Sequence, residues 1–316
     1  MNPAYNLPRV IETRSATPAD AQAVLRLRQA EEMADGDVPY TTAERLAAEW
    51  EALGPQLGAQ VWVVESLQEG IEACADFVRV DGEFMARLWA TGRRPGLAVA
   101  LLMRLERQVC ALARAEGAKT VTLVAQATAT QPANQWALLD RYFERSSTYE
   151  KMEFALTEPP APPAPIANIM IRHVAAGDDG EAIYHADEEA FQDQRGHTPR
   201  TYEQWQRRLS QSGAAPDPAL WLIAWDGEEV AGAALGEVVG AVGWIHHLFV
   251  RRPWRRRGLG AALTRATLAT FYQRGIGAVR LNVDAQSLTN AHGLYRRVGF
   301  QVIGGYSNFE KKVALT

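Results

Sequence analysis

Five arginines fall among residues 251–257, and Gly258 and Gly260 follow them directly. The apolar stretch Leu248-Phe-Val250 leads into this run, and Ala261, Leu263, Ala266 and Leu268 lead out of it with helical spacing. A strand that passes through a glycine turn into a helix N-terminus is a cradle for a phosphate. Glycine lets the backbone approach closely, the first-turn N–H groups have no partner within the helix, and the helix dipole favours an anion. Neighbouring guanidinium groups add charge-assisted hydrogen bonds. On these grounds Arg255, Arg256, Arg257, Gly258, Gly260 and Ala261 are expected to hold a phosphate ligand. A dinucleotide loop would place G-x-G-x-x-G immediately after the strand, yet eight residues carry the chain from Val250 to Gly258, and Leu263 stands where the third glycine belongs. A Walker loop is excluded because no Gly-Lys-Ser/Thr occurs.

The pattern Arg255-x-x-Gly258-x-Gly260 resembles the acetyl-CoA pyrophosphate loop of the GNAT superfamily of N-acetyltransferases, Gln/Arg-x-x-Gly-x-Gly/Ala. A second segment sits where that family would place its closing motif. Residues 279–283 read as a strand, and Asn290, Tyr295, Gly299 and Phe300 follow with the family spacing, although the interval from Val283 to Asn290 is about two residues longer than the commonest form. The resemblance implies an amine attacking a thioester, with acetyl-CoA as co-substrate. It implies that the backbone of Leu248, Phe249 and Val250 pairs with the pantetheine arm, that Asn290 helps hold the cofactor, and that Tyr295 protonates the leaving thiolate. A phenol, with an ordinary pKa of about 10, is close enough to a thiol for that transfer.

The proton acceptor for the amine is left open. The family often places a glutamate where Trp244 stands here, and an indole cannot take a proton. His246 shares a strand face with Trp244 by the two-residue alternation of a strand, and Glu237 closes the preceding strand. The same alternation turns His247 to the opposite face.

The elements that must position these groups come in two copies. Residues 158–166 hold five prolines and read as an extended linker near the midpoint of the 316-residue chain. Arg93-x-x-Gly96-x-Ala98 repeats the pyrophosphate pattern in the first half, and aligning Tyr142-Phe143 with Gly299-Phe300 sets Leu138 opposite Tyr295. The expected architecture is α/β with two tandem GNAT-like domains, each a mixed β-sheet with helices on both faces. Residues 9–157 form the first, with Arg93, Gly96 and Ala98 as a cofactor cradle but no proton donor. Residues 158–167 form the linker, and residues 168–316 form the expected catalytic domain. Each half is expected to close on its own last strand, at Phe154-Ala-Leu156 and Val313-Ala-Leu315.

Composition narrows the partners. A net charge of −4 argues against a nucleic-acid binder. The absence of any run near 18 apolar residues and of a basic-then-apolar N-terminus argues against a membrane span or secretory signal. Two isolated cysteines, Cys74 and Cys110, offer neither a disulfide framework nor a zinc pattern, so no metal is expected and a reducing, cytoplasmic setting is. The expectation is an acetyl-CoA-dependent N-acetyltransferase acting on a small-molecule amine. A protein N-acetyltransferase and a non-catalytic acyl-CoA-binding module are the alternatives.

Overall fold

A computed structural model describes residues 11–36, 39, 41–66, 69–80, 83–90, 95–174, 179–192, 199–209, 217–287 and 290–315. The chain divides into two compact units, Met1–Tyr149 with Gly304–Thr316, and Glu150–Ile303.

In the first unit β1 (Ile11–Ser15) leads to α1 (Ala21–Ala34), α2 (Ala43–Leu53) and α3 (Leu57–Gln60). Then come β2 (Val61–Ser66), β3 (Gly70–Val80), β4 (Glu83–Ala90), α4 (Pro95–Ala115), β5 (Thr120–Thr128) and α5 (Pro132–Asp140). β6 (Glu144–Ala155) crosses out of the unit after Tyr149. Strands β1 to β4 pair antiparallel in sequence order, whereas β4 and β5 run parallel. Helix α4 earns its place by a four-residue apolar repeat: Leu97, Leu101, Leu105, Val109 and Ala113 are all buried against the sheet.

The second unit repeats the order. β7 (Ile169–His173), α6 (Gly180–Phe191), α7 (Tyr202–Leu209), β8 (Trp221–Asp226), β9 (Glu229–Val239) and β10 (Val242–Val250) are followed by α8 (Leu259–Gln273), β11 (Ala278–Asp284) and α9 (Ala291–Val298). Strands β7 to β10 pair antiparallel, and β10 and β11 are parallel. Alternation along β9 sends Ala233 and Leu235 to the α6 face and Ala234 to the α8 face, so both faces of the sheet are apolar and covered. Each unit opens with the same tie. Arg14 binds Asp20 at 2.8 Å and Arg172 binds Asp179 at 2.8 Å, each aspartate standing just before the first long helix.

The last strands depart from the expected boundaries. β12 (Gln301–Ala314) passes into the first unit at Gly304, where its residues 306–314 pair antiparallel with β5 and Phe309 sits in the first unit's core. The end of β6 belongs to the second unit: Met152 and Leu156 pack with Leu268, Phe271 and Leu281, and the Leu156 N–H donates to Gly277 O at 2.8 Å. Each half therefore closes on the strand that the sequence reading gave to the other half. Among the described residues no helix is long and apolar enough to cross a membrane.

Candidate functional site

In the second unit β10 and β11 pair only through Gly243–Val279 and Trp244–Arg280, so the two parallel strands part beyond Trp244. The other edge of β10 stays paired with β9 out to Val250. The Arg251 N–H bonds Ala231 O at 3.0 Å, and antiparallel alternation then turns the main-chain groups of Phe249 towards β9 and those of Leu248 and Val250 towards the open edge. Leu248 and Val250 can therefore receive an extended ligand as an added strand, whereas Phe249, buried in the α6-side core, cannot. Val250 O also accepts from Arg255 Nε at 3.0 Å.

The loop after β10 is built from within. Trp254 is buried and donates its indole N–H to Asp226 at 2.8 Å. Arg251 is bound to Glu189, to Glu229 and to Val230 O, and lies over the Trp254 ring. The Arg255 guanidinium bonds Val250 O and, at 2.8 Å, Ala190 O. These two arginines brace the loop, a use that their clustering alone did not reveal. Arg256 and Arg257 are exposed beside the start of α8. Gly258 stands at the N-cap with φ +85°, a left-handed conformation that favours glycine. The N–H groups of Leu259, Gly260 and Ala261 form the first turn, which has no acceptors within the helix. At Gly260 an added Cβ would lie 2.7 Å from Leu294 Cδ1 of α9, so the glycine also sets how closely α9 approaches the cradle. An open strand edge leading into a glycine-capped helix start flanked by two exposed guanidinium groups fits a pantetheine arm and a pyrophosphate.

Tyr295 follows Leu294 on α9. It is 7% exposed, meets Phe300 edge-on at 5.8 Å, and burial pushes its phenol well above its ordinary pKa of 10.0. The hydroxyl is therefore protonated at physiological pH and can act as a donor but not as a resting base. Asn290 stands at the N-cap of α9 in a left-handed conformation, φ 55°, with its side chain folded over Gly293. His292 pairs with Glu150.

A β-bulge lies in β10. Ile245 pairs with Gly236 and His247 with Leu235, which leaves His246 as the extra residue. The bulge resets the alternation: Ile245 packs with Leu268 and Phe271 on one face, whereas His247 and Phe249 lie on the α6 face. Trp244, His246, His247 and Glu237 thus share one side of the sheet, which corrects the reading that His247 points away. His246 stacks on Trp244 (5.8 Å, 12° between planes), its Nε2 lies 3.0 Å from Glu237 Oε2, and its side chain remains 45% exposed. Loss of water around the ring lowers its pKa below 6.5, outweighing Glu237, which pulls it up, and His247 reinforces the lowering. His247 Nε2 lies 2.6 Å from Oδ1 of Asp187, a residue of α6 with no exposed surface, and the other oxygen of Asp187 accepts from Trp205 Nε1 at 2.8 Å. Sequence reasoning missed Asp187. Its signal was a carboxylate on the apolar stripe of Ile183, Ala186 and Ala190.

The equivalent places in the first unit differ. Phe143 N bonds Leu138 O and Phe300 N bonds Tyr295 O, both at 3.0 Å, so Leu138, fully buried, holds the helical position of Tyr295. Arg93 lies outside the described residues. Gly96 and Ala98 are in α4, which begins at Pro95 and so offers one N–H fewer at its start. Asn134 bonds Leu88 O at 3.4 Å, and Glu31 accepts from Ala90 N at 2.8 Å and from Gln131 Nε2 at 2.6 Å. Burial pushes the Glu31 carboxyl up to about 8 in spite of those two bonds. Among the described residues no group of three or more His, Cys, Asp or Glu is placed to hold a metal ion.

Residues 180–300 match the acetyltransferase (GNAT) family. The mycothiol acetyltransferase of Thermobispora bispora is 30% identical over 90% of this chain and 93% of its own length, and that of Catenulispora acidiphila is 30% identical over 47% of this chain and about half (49%) of its own. Among solved structures, a GCN5-related N-acetyltransferase from Sphaerobacter thermophilus superposes with a TM-score of 0.79 at 32% identity, covering 98% of this chain and 97% of that one. A tandem GNAT protein from the clavulanic acid biosynthesis pathway, 17% identical, shares the fold at a TM-score of 0.64, with 96% of this chain and 98% of that chain covered. The chain belongs to the GNAT family of acetyltransferases and has its tandem two-domain architecture.

Proposed function

We propose that this protein transfers an acetyl group from acetyl-CoA to a primary amine of a small molecule by direct attack on the thioester, and that the second unit does the chemistry. The observation that carries the reading is the continuity of the open β10 edge with the glycine-capped start of α8, against which Leu294, next to Tyr295, is packed. The Leu248 and Val250 main chain would hold the pantetheine arm, and the first turn of α8 with Arg256 and Arg257 would hold the pyrophosphate.

Attack requires a neutral amine. The lowered pKa of His246 leaves its ring unprotonated near pH 7, able to accept the ammonium proton, with Glu237 fixing its orientation. Attack leaves an extra proton on the acylated nitrogen; collapse expels a thiolate, Tyr295 supplies its proton, and the proton shed by the nitrogen restores the phenol. Burial of the kind that raises the phenol would also disfavour a bare thiolate beside it, which offsets part of the cost of the transfer. The first unit, with Leu138 in place of the donor, serves as a scaffold without turnover.

The relatives named mycothiol acetyltransferase make a mycothiol-type amine the first acyl acceptor to try. The test is thiol release from acetyl-CoA across small amines, amino sugars and peptides. Release with a small amine is expected; release with peptides alone, or with none of the panel, overturns the reading.

A further inference from the structure

The pair formed by His247 and Asp187 has no part in the scheme above, yet it is built into the fold, with Asp187 fully buried and both of its oxygens engaged. We propose that Nδ1 of His247 is the hydrogen-bond acceptor that orients the incoming amine, and that Asp187, held by Trp205, is the positioning residue that keeps this nitrogen free of a proton. The proposal rests on the acetyl-transfer reading of the site.

Asp187 is fully buried on α6, and both its oxygens are engaged: Oδ2 takes the Trp205 indole N–H at 2.8 Å and Oδ1 meets His247 Nε2 at 2.6 Å. An indole N–H can only donate, so Oδ2 must accept. A buried carboxylate is retained as an ion only when every oxygen is satisfied by a donor, so His247 Nε2 carries its hydrogen towards Oδ1. The neutral ring is thereby fixed as the Nε2–H tautomer, with the Nδ1 lone pair turned away from Asp187. Phe191, at 4.8 Å between ring centres, and Phe249, at 6.3 Å, flank the imidazole and limit its rotation. The bulge at His246 places His247 on the side that carries Trp244, His246 and Glu237, where the amine must lie if His246 is to take its proton.

The first unit provides the contrast. Asp187 is the eighth residue after Asp179, and the eighth after Asp20 is Arg28, also buried. Arg28 pairs with Asp76 at 3.0 Å and with Glu49 at 2.9 Å, and β4 pairs with β3 without any shift of register. A permanently charged guanidinium closed into an internal network stands where the second unit holds a carboxylate that sets a histidine tautomer.

Asp187→Asn tests the pair with little change of shape. Trp205 still needs an acceptor, so the amide oxygen turns to it and the NH2 faces His247 Nε2; that nitrogen must then accept, and the ring hydrogen moves to Nδ1. The ¹⁵N imidazole signals of the full-length protein, assigned with His247→Gln, are expected to show Nδ1 unprotonated in the wild type and protonated in Asp187→Asn. Turnover is followed as thiol release with the best amine of the panel. Both variants should lower kcat/KM for the amine by about 10- to 100-fold, the worth of one hydrogen bond to a charged group, and leave KM for acetyl-CoA unchanged. The double variant should be no worse than His247→Gln alone, because Asp187 acts through His247. Wild-type amine kinetics in His247→Gln overturns the proposal, and this variant reads the outcome even if Asp187→Asn fails to fold. Additive losses in the double variant, or wild-type kinetics in Asp187→Asn with an inverted tautomer, also overturn it while the transferase reading stands. A wild-type protein that acetylates no amine overturns both.

Discussion

Gly260→Asp is the sharpest probe of the cradle, because the structure separates its steric and electrostatic consequences. Any Cβ at this position meets Leu294 Cδ1 at 2.7 Å. That atom is the end of a flexible side chain, so relief by a small rotation costs about 1 kcal/mol, the low end for overpacking. Replacing a glycine inside a helix returns up to about 1 kcal/mol of propensity. Gly260→Ala should therefore be close to neutral, with a melting temperature within a few degrees of wild type and acetyl-CoA affinity reduced less than tenfold. The aspartate adds a negative charge at the second position of α8. For the helix alone this is favourable by about 0.3–1 kcal/mol through the dipole, so the fold should persist. Against a pyrophosphate the same charge is repulsive. At about 5 Å and an effective dielectric of about 20, one like-charge pair costs about 3 kcal/mol, or roughly a hundredfold in affinity. Calorimetric titration of acetyl-CoA into the three proteins, with thermal melts alongside, should show Gly260→Asp weaker by at least that factor and Gly260→Ala near wild type. Equal affinities for Gly260→Asp and wild type would refute the assignment of the pyrophosphate to this loop. Equal losses in both variants would show that the Leu294 contact, not charge, controls binding.

Tyr295→Phe should lower kcat by roughly 10²–10⁴, the usual size of a general-acid effect, with acetyl-CoA affinity unchanged; wild-type turnover would return Tyr295 to a packing role. The pH profile of kcat/KM for the amine should fall only as pH drops through the His246 pKa, below 6.5, and His246→Gln should remove that limb; a limb unchanged in the variant would acquit His246. Leu138→Tyr combined with Tyr295→Phe should recover no activity, because the first unit also starts its helix at Pro95; measurable recovery would show that unit to be a latent enzyme. Glu31 keeps its proton in the folded chain up to about pH 8 but would release it near 4.5 when unfolded, so stability should fall as pH rises between those values, by at most about 5 kcal/mol. Denaturant titrations at pH 5 and pH 9 should show Glu31→Gln flattening that dependence, and parallel wild-type and variant curves would count against it.

The local structural settings of the expected site residues were legible in the sequence. Gly258, Gly260 and Tyr295 stand on the elements expected of them, and Leu138 occupies the helical position of Tyr295 that the alignment gave it. These are local features, carried by a turn, a cap or a helix repeat. What escaped was set by tertiary pairing. The apolar spacing of Phe309 and Val313 suits either sheet as well as that of Met152 and Leu156, so nothing local assigned these strands to their units. One extra residue at His246 reverses every later side chain of β10, and such an insertion leaves no mark in a strand that reads as alternating in both registers. His247 meets Asp187 across 60 residues of chain, and Arg255, placed among phosphate ligands by its neighbours, spends two of its donors on main-chain carbonyls.

The two units keep one framework and differ at few places. Both begin with an arginine–aspartate tie, both part their parallel strands after two or three residue pairs, and both end the short helix on the same pair of hydrogen-bonded residues. In the first unit Asp76 receives Arg87 at 2.6 Å and Arg28 at 3.0 Å, Arg28 continues to Glu49, and Arg28 lies 4.0 Å from the Trp89 ring. Removing one partner from such a buried set leaves an uncompensated charge and costs about 3–5 kcal/mol, a large share of a domain's stability. The network therefore holds the first unit in place more firmly than it could be rewired. To take on the second unit's arrangement the first would need the charge at Arg28 reversed, a bulge and histidine introduced into β4, and a tyrosine placed in the core position of the fully buried Leu138. Each change alone leaves a buried group unpaired or overpacked, so folding stability by itself is enough to maintain the asymmetry between the units.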